Sequence, residues 1–87
     1  MNDPTGFQFP GRFELSAMGA ADADLENALP ALIEALGMNV DRASLRVRAS
    51  SAGRYVSVSI HFEAQSRADY DAAHSTLRAH PGVKWTL

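Results

Sequence analysis

Between Ser50 and Phe62 the chain reads Ser-Ser-Ala-Gly-Arg-Tyr-Val-Ser-Val-Ser-Ile-His-Phe, a turn followed by strict alternation. On an extended strand Val56, Val58, Ile60 and Phe62 share one side, and Tyr55, Ser57, Ser59 and His61 share the other. A strand patterned this way belongs to a sheet with one dry face and one wet face. The wet face is then the only broad polar surface that regular structure can offer as a working surface.

Two more segments alternate. Arg12 to Met18 set Phe13, Leu15 and Ala17 against Glu14, Ser16 and Met18, and Gly19 closes this first strand. Residues 42 to 49 set Ala43, Leu45, Val47 and Ala49 inward and Arg42, Ser44, Arg46 and Arg48 outward. Ser50 to Gly53 make the turn into the next strand, with Gly53 free to take positive φ. At the end of the chain Val83, Trp85 and Leu87 alternate with Lys84 and Thr86. Trp85, in line with Val83, is expected in the core.

Helical spacing fills the gaps. Leu25, Ala28, Leu29, Leu32, Ile33 and Leu36 follow the i, i+3, i+4, i+7 rule. Asp22 is the expected N-cap, Asp24 suits the first turn and Gly37 the stop. Pro30 removes one intrahelical bond and should kink the helix, but the apolar stripe runs through it in phase. Ser66 caps a second helix with Asp69 three residues on, Tyr70, Ala73 and Leu77 form its buried stripe, and Pro81-Gly82 ends it. The order strand, helix, strand, strand, helix, strand leads to an α+β, ferredoxin-like βαββαβ sandwich. Its antiparallel sheet has strand order 4-1-3-2, with both helices on one face. Residues 1 to 10 read as a loose arm, with Phe7 to Pro10 packing beside the sheet, and 11 to 87 as the single domain.

In these segments the chain resembles the YbeD-like family. The matching residues are Phe9-Pro10, Phe13 and Met18-Gly19, then Ser50-Ser51, Gly53, Tyr55 and Ser57-Val58-Ser59, then Val83 and Leu87. The resemblance covers nearly everything from Phe9 onward, and the Ser-Ser-x-Gly-x-Tyr hairpin is its most specific part. It implies a small bacterial cytoplasmic protein without an assigned activity, and a fold similar to the ACT regulatory domain, which binds small ligands in metabolic enzymes. The family usually carries a lysine just before the end of the first strand; Ser16 stands here, so no role of that amine carries over.

Composition excludes several chemistries. The 87 residues hold no cysteine, which removes disulfides, thiolate nucleophiles and zinc-thiolate sites. No apolar run approaches the roughly 20 residues of a membrane span, and the start lacks the pattern of a secretory signal. The cytoplasm is the expected location. A net charge of -2 gives no general affinity for nucleic acid. Its distribution is uneven: Asp22, Asp24, Glu26 and Glu34 mark the first helix, and Arg42, Arg46, Arg48 and Arg54 the hairpin. A charge dipole is expected.

Ser59, His61 and Glu63 share a strand face and supply a nucleophile, base and acid by type. Neighbours on one strand face stand about 7 Å apart, too far for a nucleophile and base to bond, and a flat sheet has no oxyanion hole. No catalytic role is expected. His74 and His80 lie six apart, roughly 240° round a helix, so they cannot chelate together; no metal or cofactor is expected. Gly53-Arg54-Tyr55 resembles the start of an RNA-recognition motif, but only Tyr55 offers an outward ring and Glu14 stands where another would.

The remaining reading is a non-catalytic binding module. Arg46, Arg48 and Arg54 beside Tyr55, Ser57 and Ser59 suit the carboxylate of a small anionic metabolite or of a partner enzyme. The bland counterpart is edge protection by charge. The alternative function is a structural protein that forms a homodimer or larger oligomer through its sheet, with no small ligand.

Overall fold

A computed structural model describes residues 8–50 and 52–86; the expectations for the first seven residues, Ser51 and Leu87 lie outside these. The chain forms β1 (Gly11–Ala20), a single 3-10 turn (Ala21–Ala23), α1 (Leu25–Ala35), β2 (Val40–Ala49), β3 (Tyr55–Ala64), α2 (Arg67–Ala79) and β4 (Val83–Thr86). The strands lie in the order β2-β3-β1-β4, all neighbours antiparallel, which is the expected ferredoxin-like sheet. β1 and β3 pair along their whole length, from Gly11 opposite Ala64 to Ala20 opposite Tyr55.

The core lies between the sheet and the two helices. Leu15, Ala17, Val58, Ile60 and Phe62 from the central strands meet Leu25, Leu29 and Ile33 of α1 and Ala73 and Leu77 of α2. No polar or charged side chain is buried among them. Phe9 extends this packing, with its ring 5.2 Å from Phe13 and 6.5 Å edge-on to Tyr70.

The helix boundaries differ in part from expectation. The N-cap of α1 is Asp24 rather than Asp22, because Ala21–Ala23 turn once as a 3-10 helix first. Asp24 takes the left-handed conformation (φ 57°), which aspartate tolerates better than most residues. Its carbonyl accepts from the N–H of Asn27 and Ala28, and its carboxylate from the Asn27 amide at 2.7 Å. Pro30 is fully buried within a continuous helix, so its packing offsets the backbone bond it forfeits. Gly37 (φ 89°) ends α1 as expected. Ser66 caps α2 by accepting from the Asp69 N–H, while Asp69 accepts from Gln65 N–H.

The two histidines read as lying on one helix do not both belong to it. His74 packs its ring 4.5 Å from that of Tyr70. Burial there pushes its pKa below the usual histidine value, Arg78 acting the same way and Asp71 against it. His80 is the C-cap, past the helix, and its Nδ1 accepts from the Gly82 N–H at 3.0 Å.

Two register shifts decide which side chains reach which face. In β2, Asp41 lies opposite His61 and Arg46 opposite Ser59, so Arg42, Ala43, Ser44 and Leu45 together face Ile60 alone. An odd number of extra residues inverts the alternation. Arg42, expected outward with Arg46 and Arg48, therefore reaches the helix layer and holds Glu34 of α1 through two bonds, at 2.6 and 2.9 Å. Ser44 fills the gap in the ladder: its hydroxyl donates to the Asp41 carbonyl at 2.6 Å and accepts from the His61 N–H at 2.8 Å. Ser44→Ala should cost about 1–3 kcal/mol by leaving that N–H unpaired. Urea denaturation with amide exchange at His61 checks this; unchanged exchange would contradict the assigned role.

The inward set of β2 is only partly buried. Leu45 packs on the core, but Val47, opposite the buried Val58, is 46% exposed, and Ala43 and Ala49 are exposed as well. β2 is one of the two edge strands, with α1 as its helical neighbour, and its hairpin half extends without cover.

The second shift lies between β1 and β4. Met18 faces Trp85 but Gly19 faces Val83, so Lys84 is the extra residue. Val83 packs on the core, while Trp85 stands on the opposite face and is 51% exposed. The expectation that Trp85 belongs to the core is therefore wrong. The bulge separates it from Val83, with which it would otherwise share a side.

Candidate functional site: the outer face of the sheet

Cross-strand pairing orders the outer face into rows. Arg46, Ser59 and Ser16 form one; Arg48, Ser57, Met18 and Trp85 form the next, crossing all four strands; Tyr55 and Ala20 lie beyond it at the hairpin end. Towards the opposite end stand His61 with Glu14, then Glu63 with Arg12. Serines on the two central strands keep the middle of the face low. The Ser16 and Ser59 hydroxyls are 2.8 Å apart across β1 and β3.

A depression of about 460 Å³ opens beside these serines, lined by Arg46, Val47, Arg48, Ser57 and Ser59. It gathers four of the six residues picked out by sequence. The other two, Arg54 and Tyr55, lie at the hairpin end outside its lining. Arg54 is exposed and its carbonyl accepts from the Ala21 N–H at 2.9 Å. The Tyr55 ring lies edge-on to Trp85 with centroids 5.7 Å apart. The outer face thus carries two rings where one was expected.

The two arginines of the depression differ electrostatically. Arg46 donates to Glu14 at 2.6 Å across β3. Among the described residues, Arg48 forms no ion pair, and neither do Arg54 and Lys84. Elsewhere Arg12 pairs with Asp41, Arg42 with Glu34 and Arg67 with Asp71. The Arg42 side chain, through its hydrogen bond above all, holds the Glu34 carboxyl below its ordinary pKa, and Glu34 raises Arg42 in turn. Both groups are exposed, so this pair adds little stability. Of the expected dipole, Glu34 and Arg42 cancel as a pair, while Asp22 and Glu26 on one side and Arg48 and Arg54 on the other form no ion pair among the described residues.

This arrangement suits binding better than covalent chemistry. Ser59 is bonded to Ser16, and His61 turns its Nε2 towards Glu14, 4.0 Å away on β1. The sequence triple Ser59, His61 and Glu63 is thereby directed apart. What the outer face offers is an unpaired guanidinium beside two hydroxyls, a pattern that matches a carboxylate or similar oxyanion. Trp85 was missed as a contributor because strand alternation places it correctly only once the β1–β4 bulge is known, whereas Met18 stands on the face its own strand's alternation gave it.

Comparison with known proteins agrees with this fold. A UPF0250 protein from Xanthomonas oryzae pv. oryzae is 57% identical over 86 residues, covering 99% of this chain and 94% of the relative. A UPF0250 protein from Stenotrophomonas maltophilia is 56% identical with the same coverage, and one from Xylella fastidiosa is 54% identical over 82 residues, 94% of this chain and 89% of the relative. The solution structure of protein HP0495 from H. pylori superposes with a TM-score of 0.75, covering 93% of this chain and 85% of that one, at 13% identity. That likeness concerns the fold alone. The family described as protein of unknown function DUF493 matches residues 4–87. With its UPF0250 relatives and the YbeD-like motifs of its first strand and hairpin, the chain belongs to the DUF493 family of small bacterial proteins.

Proposed function

We propose that this protein is a non-catalytic, ACT-like binding module whose outer sheet face recognises an anionic group, carried by a small metabolite or by a partner enzyme that it regulates. The observation that supports this reading is Arg48, without an ion pair among the described residues and beside the Ser57 and Ser59 hydroxyls in one depression. A guanidinium with neighbouring hydroxyls binds a carboxylate through charge-assisted bonds, each worth about 1.5–3 kcal/mol. Arg46 is partly engaged by Glu14, so Arg48 is the principal hydrogen-bond donor to the anion and Arg46 a second one that exchanges partners.

The test is NMR shift perturbation with amino acids and medium-chain carboxylates such as octanoate. Shifts should gather at Arg46, Arg48, Ser57 and Ser59, and Arg48→Ala should weaken binding about 10- to 100-fold without unfolding the chain. The second reading is a homo-oligomer formed through the sheet, favoured by the exposed edge residue Val47. An absence of shifts, together with a mass that rises with concentration in light scattering, would establish that reading instead.

A further inference from the structure

We infer that the hairpin end of the outer face docks a second protein, and that the patch it receives is an acidic segment bearing a large apolar side chain. This rests on the outer face being the binding surface and names the class of partner it takes.

Four observations converge on it. The chain's single tryptophan, Trp85, is 51% exposed on this face and edge-on to Tyr55. Aromatic rings with one side wet gain most when a partner excludes that water, and tryptophan, tyrosine and arginine dominate the energetic centres of protein interfaces. Around the rings stand Arg48, Arg54 and Lys84, none in an ion pair among the described residues. The closest acids in sequence to this end, Asp22 and Asp24, follow β1 and make no ion pair with Arg54. These acids lead into the helix layer behind the sheet, so on the outer face the Arg48, Arg54 and Lys84 cations are left without an ion pair among the described residues, and an acidic partner is complementary to them.

Geometry separates the classes of occupant. Arg48 and Trp85 end one row across four strands, so three inter-strand steps of about 4.8 Å place their backbones roughly 14 Å apart. A small molecule is normally enclosed in a concave site, whereas this row lies along an open sheet. About 14 Å is the reach of roughly four extended residues. Single-stranded nucleic acid lays successive bases on aromatic faces, but these two rings are inclined at 68° and give no common stacking plane. A second copy of the chain supplies acids without the anchor: Asp22 and Glu26, in no ion pair among the described residues, stand at the start of α1, while the exposed Leu36 stands beyond its far end.

The experiment pans a random peptide phage library on the full chain and follows the enriched peptides by the fluorescence of Trp85. Enriched peptides should carry several acids close to a leucine, phenylalanine or tryptophan. A synthetic tryptophan-free version should shift the Trp85 emission to the blue and bind at least about tenfold more weakly to Arg48→Ala. Trp85→Ala, read by anisotropy of the labelled peptide, should show a similar loss. Both residues are exposed, so neither change threatens folding. Enrichment of neutral or basic peptides, no enrichment, or binding indifferent to both substitutions would overturn the inference. It would fall equally if oligouridylate alone moved the Trp85 emission, or if that emission shifted with protein concentration as the mass doubled. Small carboxylates that shift Arg46 and Ser59 while leaving Trp85 unmoved would keep the anion-binding function and remove this partner.

Discussion

Gly19→Ala is expected to destabilise the protein by about 1–3 kcal/mol, the usual range for forcing an extra methyl into a filled space. A Cβ on Gly19 would fall on the Gly82 carbonyl oxygen and within 2.8 Å of Leu25 Cδ1. The first obstacle is backbone, which cannot rotate away as a side chain can. Gly19 sits at the register shift where β4 joins β1, so relief requires β4 to move off its neighbour. For 87 residues total stability is about 4–13 kcal/mol, and the loss is a sizeable share of it. Urea denaturation measures the loss, and amide exchange in β4 locates it. Gly53→Asn is the control, because that glycine has open space around it and a φ of 71° that asparagine accepts. Equal effects at the two positions would show that the close approach to Gly82 is not what constrains residue 19.

Phe62→Ala carries a larger expected loss, about 3–5 kcal/mol. Phe62 is 1% exposed and heads the fully buried side chains by volume. It lies opposite Phe13, with ring centroids 6.2 Å apart, and opposite Val40 on its other side. Removing it takes the ring from a core that has few large groups to collapse inward. A small domain buries a modest fraction of its surface, so the variant should show a measurable unfolded population without denaturant. Phe62→Leu, closer in volume, should cost under about 1.5 kcal/mol. The comparison is a thermal melt followed by far-UV circular dichroism. Similar melting temperatures for the two variants would mean that this ring does not organise the core.

Much of the candidate site could be read from the strand that runs from Tyr55 to His61. Its alternation placed Ser57 and Ser59 on the outer face and Val58 and Ile60 in the core, because β3 is central, pairs with β1 throughout and carries no bulge. Arg46 and Arg48 were placed correctly as well, being on the regular side of the β2 bulge. Arg42 was not, since it lies inside the irregular stretch, where neighbours no longer alternate. Asp24 instead of Asp22 capped α1 for a similar reason: a single 3-10 turn intervened, and two aspartates two residues apart are equally good caps by type.

Local periodicity by itself determined the six elements, their order, the dry face of the sheet and the serine floor with its arginines. Each of these follows from a repeat of two or 3.6 residues within one segment. Tertiary structure alone decided the side to which Arg42 and Trp85 turn, and with them the split between a paired arginine and an exposed indole. A bulge forms where one strand meets another, closed by the Ser44 hydroxyl in one case and by the contact of Gly19 with Gly82 in the other. Nothing within either strand's own pattern marks where its partner lets an extra residue in, and one such residue inverts every face beyond it.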